Sequence, residues 1–138
     1  MGERRVSYAD VRPGDAGPPL SHTLTRTDLV MYAGASGDFN PMHTDEVAAQ
    51  AAGLPSVFGH GMFSAGLLAT AITNYVGIGN LTSYKIRFTK QTWPGEQLTT
   101  EVKVAERLPG NQVVLDCAVT NEQGEAKVRA EAVAVLQP

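Results

Sequence analysis

The stretch Gly61-Met62-Phe63-Ser64-Ala65-Gly66-Leu67-Leu68-Ala69-Thr70-Ala71-Ile72-Thr73-Asn74-Tyr75 decides how this chain is organised. It reads as a helix that ends before Gly77 and Gly79. Met62, Phe63, Ala65, Leu67, Leu68, Ala69, Ala71 and Ile72 point in nearly all directions around it, and a helix apolar on most sides must be buried on most sides. The helix sits inside a longer segment, Val47 to Tyr84, that contains no Asp, Glu, Lys or Arg. A membrane span needs roughly 20 mostly apolar residues. Here Pro55, His60, Ser64, Thr70, Thr73 and Asn74 interrupt the run, and Gly53 with Pro55 breaks it in two. The segment is therefore expected to be wrapped by the fold or to lie against a partner subunit.

Working outward toward the C-terminus, the period changes from about 3.6 to 2 after Leu81. Tyr84, Ile86 and Phe88 alternate with Lys85, Arg87 and Thr89. Leu98, Thr100, Val102 and Val104 follow, then Val113, Leu115, Cys117 and Val119, then Ala126, Val128, Ala130, Ala132 and Ala134. Trp93-Pro94-Gly95, Pro109-Gly110-Asn111 and Asn121 to Gly124 supply the turns. This hairpin spacing predicts a four-stranded antiparallel meander.

Toward the N-terminus, Pro13, Gly14, Gly17, Pro18 and Pro19 punctuate a loop, and Ser21 to Leu24 fits a short strand. Thr25 reads as an N-cap with Asp28 near the positive helix end, opening a helix that stops at Gly34 or Gly37. A second short helix fits Asp45 to Ala52, with Gly53 as its stop. One enclosed helix plus an antiparallel sheet predicts an α+β fold, a sheet curled around a helix.

Composition sets the outer bounds. At 138 residues, 43% apolar and 18% charged, the chain is expected to be one soluble domain spanning 1–138. A formal net charge of -3 gives no reason to expect nucleic acid binding. A single cysteine, Cys117, forbids an intramolecular disulfide and a zinc ribbon, and suits a reducing, cytoplasmic setting. Met1 to Asp15, with Arg4, Arg5 and Arg12, holds no apolar run of signal-peptide length. No membrane association is expected.

Chemistry concentrates in two places. The chain has three histidines, and His43 closes the run Gly37-Asp38-Phe39-Asn40-Pro41-Met42-His43. Gly37 and Pro41 define a short non-helical segment, and proline pushes Asn40 toward extended geometry, so Asp38 and His43 can project to one place. A carboxylate beside an imidazole is an acid–base pair, because a histidine of ordinary pKa about 6.5 both accepts and returns a proton near neutrality. The competing reading makes Asp38 a turn cap and His43 a satisfied loop residue.

The run Tyr32-Ala33-Gly34-Ala35-Ser36-Gly37-Asp38-Phe39-Asn40-Pro41-Met42-His43, followed by Phe58-Gly59-His60-Gly61-Met62, resembles the MaoC-like, or hydratase 2, family. The strand Tyr84–Thr89 and the Trp93-Pro94-Gly95 turn extend the likeness over most of the chain. It is similar in particular to single-domain (3R)-hydroxyacyl dehydratase subunits of actinobacterial fatty acid synthesis. The resemblance implies a hot-dog fold and the dehydration or hydration of 3-hydroxyacyl and trans-2-enoyl thioesters of CoA or acyl carrier protein, without a metal or other cofactor. It makes Asp38 and His43 the catalytic pair, Asn40 a supporting residue and Gly61 the donor whose backbone N–H polarises the thioester carbonyl. The last role also has a physical basis, since Gly61 opens the helix, where free N–H groups favour a developing oxyanion.

Further substrate-binding candidates are His60 and Met62 beside that glycine, Ser64 on the helix, and Lys85 and Arg87, which could receive a phosphopantetheine phosphate. Each has a plainer role: a backbone-bonded histidine, a helix serine bonding its own backbone, a solvated strand face. Some bacterial hydratases carry a helix serine where Ala69 stands here. Cys117 reads as a core filler and His22 as a surface residue without company. A pocket along a dimer interface is implied, in a homodimer or in a heterodimer with a second hot-dog subunit. Three rival readings remain: an acyl thioesterase on the same fold, a non-catalytic subunit of a heterodimeric dehydratase, and a metal hydrolase using Asp38, His43, Asp45 and His60. The last lacks the usual ligand spacing.

Overall fold

A computed structural model describes residues 6–138; Arg4 and Arg5 lie outside the described residues. The elements in chain order are β1 (Ser21–Thr23), α1 (Arg26–Ser36), α2 (Glu46–Ala51), α3 (Gly61–Val76), β2 (Leu81–Phe88), β3 (Gln97–Leu108), β4 (Gln112–Thr120) and β5 (Ala126–Val135). The strands form one five-stranded antiparallel sheet in the order β1-β3-β4-β5-β2. α3 packs against β2, β3, β4 and β5. This is the α+β, hot-dog arrangement of a sheet around a helix.

Local chemistry explains the elements. The Thr25 hydroxyl accepts from Asp28 N–H at 3.1 Å and the Asp28 carboxylate accepts from Thr25 N–H at 2.9 Å, a complete capping box. α1 ends at Gly37, whose φ of 77° is a left-handed conformation in which glycine carries no Cβ penalty. Asp45 caps α2 through Ala48 N–H at 3.1 Å. The core joins Leu68, Ala71, Ile72 and Val76 of α3 to Leu98, Val102, Leu115, Cys117 and Val119 of the sheet. Ala130, Ala132 and Ala134 line β5 on the same side, and their small size lets the helix lie close. Burying a side chain such as Leu68 or Ile72 contributes roughly 1.5–3 kcal/mol.

Three expectations need correction. β3, β4 and β5 are consecutive hairpins, but β2 pairs with β5 at the far edge and not with β3. The connection from Thr89 to Glu96 is therefore a crossover: Gly95 N–H donates to Leu24 O at 2.7 Å and Leu24 N–H to Glu96 O at 2.9 Å, which fastens it beside β1. Second, α3 is not enclosed on most sides within one chain. Met62, Gly66, Thr70 and Asn74, spaced by four residues, form an open stripe along it. Third, His22 does have company, because its Nε2 lies 2.7 Å from an Asp28 carboxylate oxygen.

β5 departs from simple alternation near its start. A register irregularity at Val119/Thr120 leaves both Lys127 and Val128 buried. Phe88, expected inside, is 53% exposed at the end of the edge strand.

Candidate active site

The segment from α1 to α2 owes its shape to small, local bonds. After Gly37 turns the chain, Asp38 N–H donates to Ser36 Oγ at 3.1 Å, and Asn40 N–H donates to Asp38 Oδ1 at 3.3 Å. Asn40 has ψ of 122°, the extended value favoured before proline, and its Oδ1 accepts from Met42 N–H at 3.1 Å. Pro41 then opens a single 3-10 turn, Pro41–His43, where its missing N–H costs nothing. Asn40 thus supports the turn that aims His43 inward.

His43 is buried, while the Asp38 side chain remains 53% exposed. His43 Nδ1 lies 2.6 Å from the Phe58 carbonyl. A carbonyl only accepts, so Nδ1 carries the proton and the neutral ring presents the Nε2 lone pair. That Nε2 lies 3.8 Å from Asp38 Oδ2. The gap is too long for a direct hydrogen bond and short enough for one water oxygen to reach both groups.

Opposite them begins α3. The chain reaches it through Phe58 N–H donating to Met42 O at 3.2 Å and Gly59 N–H donating to Thr92 O at 2.8 Å. Among the described residues the Gly61 N–H has no acceptor, and His60, at the N-cap position, makes no side-chain cap. The first turn therefore offers unpaired N–H groups and the positive end of the helix dipole to the cleft. Gly61 sits close under Phe88: a Cβ there would stand 2.8 Å from the Phe88 ring, which would have to shift. A cleft of about 550 Å³ gathers Asp38, Asn40, His43, His60, Gly61, Met62 and Ser64.

Lys85 and Arg87 are not brought to this cleft within the chain. They lie outside it with Arg129 and Glu131, on the outward face of β2 and β5. Ser64 is fully buried and its Oγ has no hydrogen-bond partner among the described residues, so it does not bond its own helix backbone. Cys117 is buried in β4, and burial, with Asp116 adding to it, pushes its thiol up to about 12.

His60 takes an unexpected place. Its ring stacks on His43 with centroids 3.9 Å apart and planes inclined by 28°, and Tyr32 lies against it at a tilt of 60° with centroids 4.9 Å apart. Its Nε2–H donates to the Asp38 carbonyl at 3.1 Å. Burial holds its imidazole below the ordinary histidine range; the bond to the Asp38 carbonyl pulls it partly back up, and a charge on His43 would add a smaller push downward.

Asp38, His43 and His60 each present a possible ligand atom within 4.8 Å of the others. They do not suit one metal ion. An ion bound by imidazole lies in the ring plane at about 2.1 Å, and two stacked planes inclined by 28° meet only far beyond that distance. Asp45 is occupied as a helix cap.

The sequence reading missed Lys127 and the crossover residues Gln91 and Thr92, which also line the cleft. Lys127 is 2% exposed, with its ammonium 2.8 Å from Glu125, 3.0 Å from Glu96 and 2.9 Å from the Gln91 carbonyl. Alternation along β5 pointed it at solvent; Glu125 is two residues away, but Glu96 and the Gln91 carbonyl come from the distant crossover and leave no local signal.

The fold and cleft define a hot-dog protein in which a carboxylate and an imidazole, Asp38 and His43, face the start of the central helix. Residues 12–127 match the MaoC like domain family, and the chain belongs to that family. It is 37% identical over 108 residues to the 3-hydroxyacyl-thioester dehydratase Y of Mycobacterium tuberculosis, an alignment covering 75% of this chain and 37% of that protein. The chain thus spans little more than a third of that relative. The (R)-specific enoyl-CoA hydratase of Rhodospirillum rubrum is 26% identical over 131 residues, covering 94% of this chain and 90% of the relative. Among solved structures, the unliganded R-hydratase PhaJ1 of Pseudomonas aeruginosa superposes with a TM-score of 0.88 at 30% identity, covering 97% of this chain and 88% of that one.

Proposed function

We propose that this chain is a hydro-lyase acting, as one hot-dog domain, on (3R)-3-hydroxyacyl and trans-2-enoyl thioesters of CoA or acyl carrier protein in fatty acid metabolism. The observation that carries the reading is the 3.8 Å approach of Asp38 Oδ2 to His43 Nε2, facing the uncapped start of α3 across one cleft. The names of the relatives support it.

In the hydration direction a water lies between the Asp38 carboxylate and the His43 Nε2 lone pair. As its oxygen bonds to C3 of the enoyl thioester, the pair takes up one water proton. The C2–C3 π electrons move onto the thioester oxygen, where the Gly61 N–H stabilises the enolate. The enolate collapses, C2 takes a proton from the same pair, and water has been added as OH at C3 and H at C2. Dehydration is the reverse. Each proton transfer by a placed group contributes roughly 10²–10⁴-fold, and an oxyanion donor contributes a similar factor. No step needs a redox group.

Pairing with a second hot-dog subunit, the same chain or another, is part of this reading. The open stripe of α3 and the outer edge of β2 are the surfaces that pairing would cover. The setting proposed is the cytoplasm; among the described residues no helix is long and apolar enough to cross a membrane.

The test is loss of enoyl absorbance when purified protein meets crotonyl-CoA, longer enoyl-CoAs and the matching carrier-protein thioesters. Asp38→Asn and His43→Ala are each expected to lower turnover by about 10²-fold or more while the thermal transition stays within a few degrees. Free thiol release with the enoyl absorbance retained would point to a thioesterase instead. A wild-type chain inert on every thioester, alone and with candidate partner subunits, would overturn the reading.

A further inference from the structure

Asp38 is held by remarkably little for a residue asked to keep sub-ångström geometry. Its own bonds, to Ser36 and Asn40, stay inside the exposed run 36–40 and fasten it to nothing else. The bond that joins it to the rest of the molecule comes from across the cleft, where His60 Nε2–H reaches the Asp38 carbonyl at 3.1 Å.

The placement of His60 is costly in ways that packing alone does not require. It occupies the N-cap position of α3, where a side chain normally accepts an N–H of the first turn. Here no side-chain cap is made, and among the described residues the Gly61 and Met62 N–H groups have no acceptor. The ring is 2% exposed and packed against His43 at 3.9 Å and Tyr32 at 4.9 Å. Because its Nε2–H is committed to a carbonyl, the neutral ring leaves Nδ1 as a lone pair, and this buried atom has no donor among the described residues. An apolar or smaller residue would fill the slot without stranding a polar atom there.

We propose that His60 is a positioning residue for the acid–base pair, tying the Asp38 backbone to the entrance of α3 through its ring N–H and fixing the plane of the His43 imidazole by stacking. The carboxylate, the imidazole and the Gly61 N–H then belong to one connected unit: α3 holds His60, His60 holds Asp38 and His43, and Gly61 is the next residue along. Loosening that unit leaves substrate binding largely intact and degrades the alignment in which protons move. Misplacement by about 1 Å can cost on the order of 10²-fold in rate. The proposal rests on the hydratase reading and deepens it.

His60→Gln and His60→Met decide the matter, since the two side chains are of similar length and only glutamine keeps an N–H donor. On crotonyl-CoA, His60→Met is expected to lower kcat about tenfold or more with KM changed less than about threefold, and His60→Gln, which keeps the N–H and loses the stacking ring, to retain at least about threefold more kcat than His60→Met. Wild-type kcat in His60→Met would overturn the proposal, as would equal losses in both variants, which would leave the N–H no role. Should His60→Met lack a cooperative thermal transition, nitrogen NMR of the wild-type histidines replaces it. At about pH 8, His60 is expected as the Nε2–H tautomer that its bond to the Asp38 carbonyl requires. A His60 protonated on Nδ1 alone would overturn the proposal. Because the NMR readout needs no turnover, an inert wild-type enzyme would sink the hydratase reading, while the His60 tautomer would still show whether the tie to Asp38 is made.

Discussion

At the scale of single residues, the site depends on where a few atoms are left unpaired. Gly61 is the sharpest case, for two features meet there: an N–H without an acceptor among the described residues, which the proposed function gives to an oxyanion, and the Phe88 ring, which would stand 2.8 Å from any Cβ. Gly61→Ala separates them. It is expected to lower kcat/KM about tenfold or more, because the new methyl group occupies the carbonyl's approach to the N–H. Phe88→Ala added to it should not restore the rate; recovery in the double variant would mean the glycine serves only to seat Phe88. The pairing of Asp38 with His43 and the place of Gly61 at a helix start were both legible, since each follows from local signals: glycine and proline shaping one short segment, and the first residue of an apolar periodic run. The stacking of His60 on His43 was not, because their backbones belong to different segments brought together only by bonds such as Phe58 N–H to Met42 O.

At the scale of elements, the caps and turns behaved as local chemistry requires. Thr25→Ala breaks one half of the capping box of α1 and is expected to cost about 1 kcal/mol, measured by denaturant unfolding, with kcat unchanged. Cys117 belongs to β4 and not to any reactive site. With its thiol held up to about 12 by burial, then by Asp116, native protein at about pH 8 should resist alkylation for as long as it stays folded, and should react at an ordinary rate in denaturant. Fast labelling of the native form would show that β4 opens readily. The strand periods located β2 to β5 correctly but did not reveal their order. Period 2 reports which side chains share a face, whereas β2 is sent past β3 to the far edge by the length and anchoring of the Thr89–Glu96 crossover.

At the scale of the whole molecule, a buried ionic cluster ties three segments together beneath the cleft. Lys127 bridges Glu96 of the crossover, Glu125 of the β4–β5 turn and the Gln91 carbonyl. Lys127→Met leaves the little-exposed Glu96 without its cation and is expected to cost about 3–5 kcal/mol, read as a lowered thermal transition at neutral pH. The acid side of the stability profile follows from the same groups. The Lys127 and Lys90 ammonium groups hold Glu125 down to about 2, so folding is favoured by its ionised form above the ordinary glutamate range. That contribution fades as pH falls from about 4.3 toward 2. His60 works in the same direction at higher pH: buried and held below its ordinary value, it resists a proton that the unfolded chain accepts below about 6.5. The midpoint of thermal unfolding should therefore drop in two stages on acidification, and Lys127→Met should flatten the lower one. A midpoint level from about pH 6.5 to 3 would contradict both assignments.

The amino-acid sequence by itself determined most element boundaries, the apolar character of α3 though not its open stripe, and the short Asp38–His43 segment with Gly61 at a helix start. These rest on interactions within a few residues: caps, turns, side-chain periods and the backbone limits of glycine and proline. The tertiary structure alone decided which histidine lies against which, that Lys127 is buried, that β2 ends on the outer edge, and that one stripe of α3 stays open. Each of those depends on contacts between segments far apart along the chain, and no local pattern records the energy of a contact whose partner has not yet been placed.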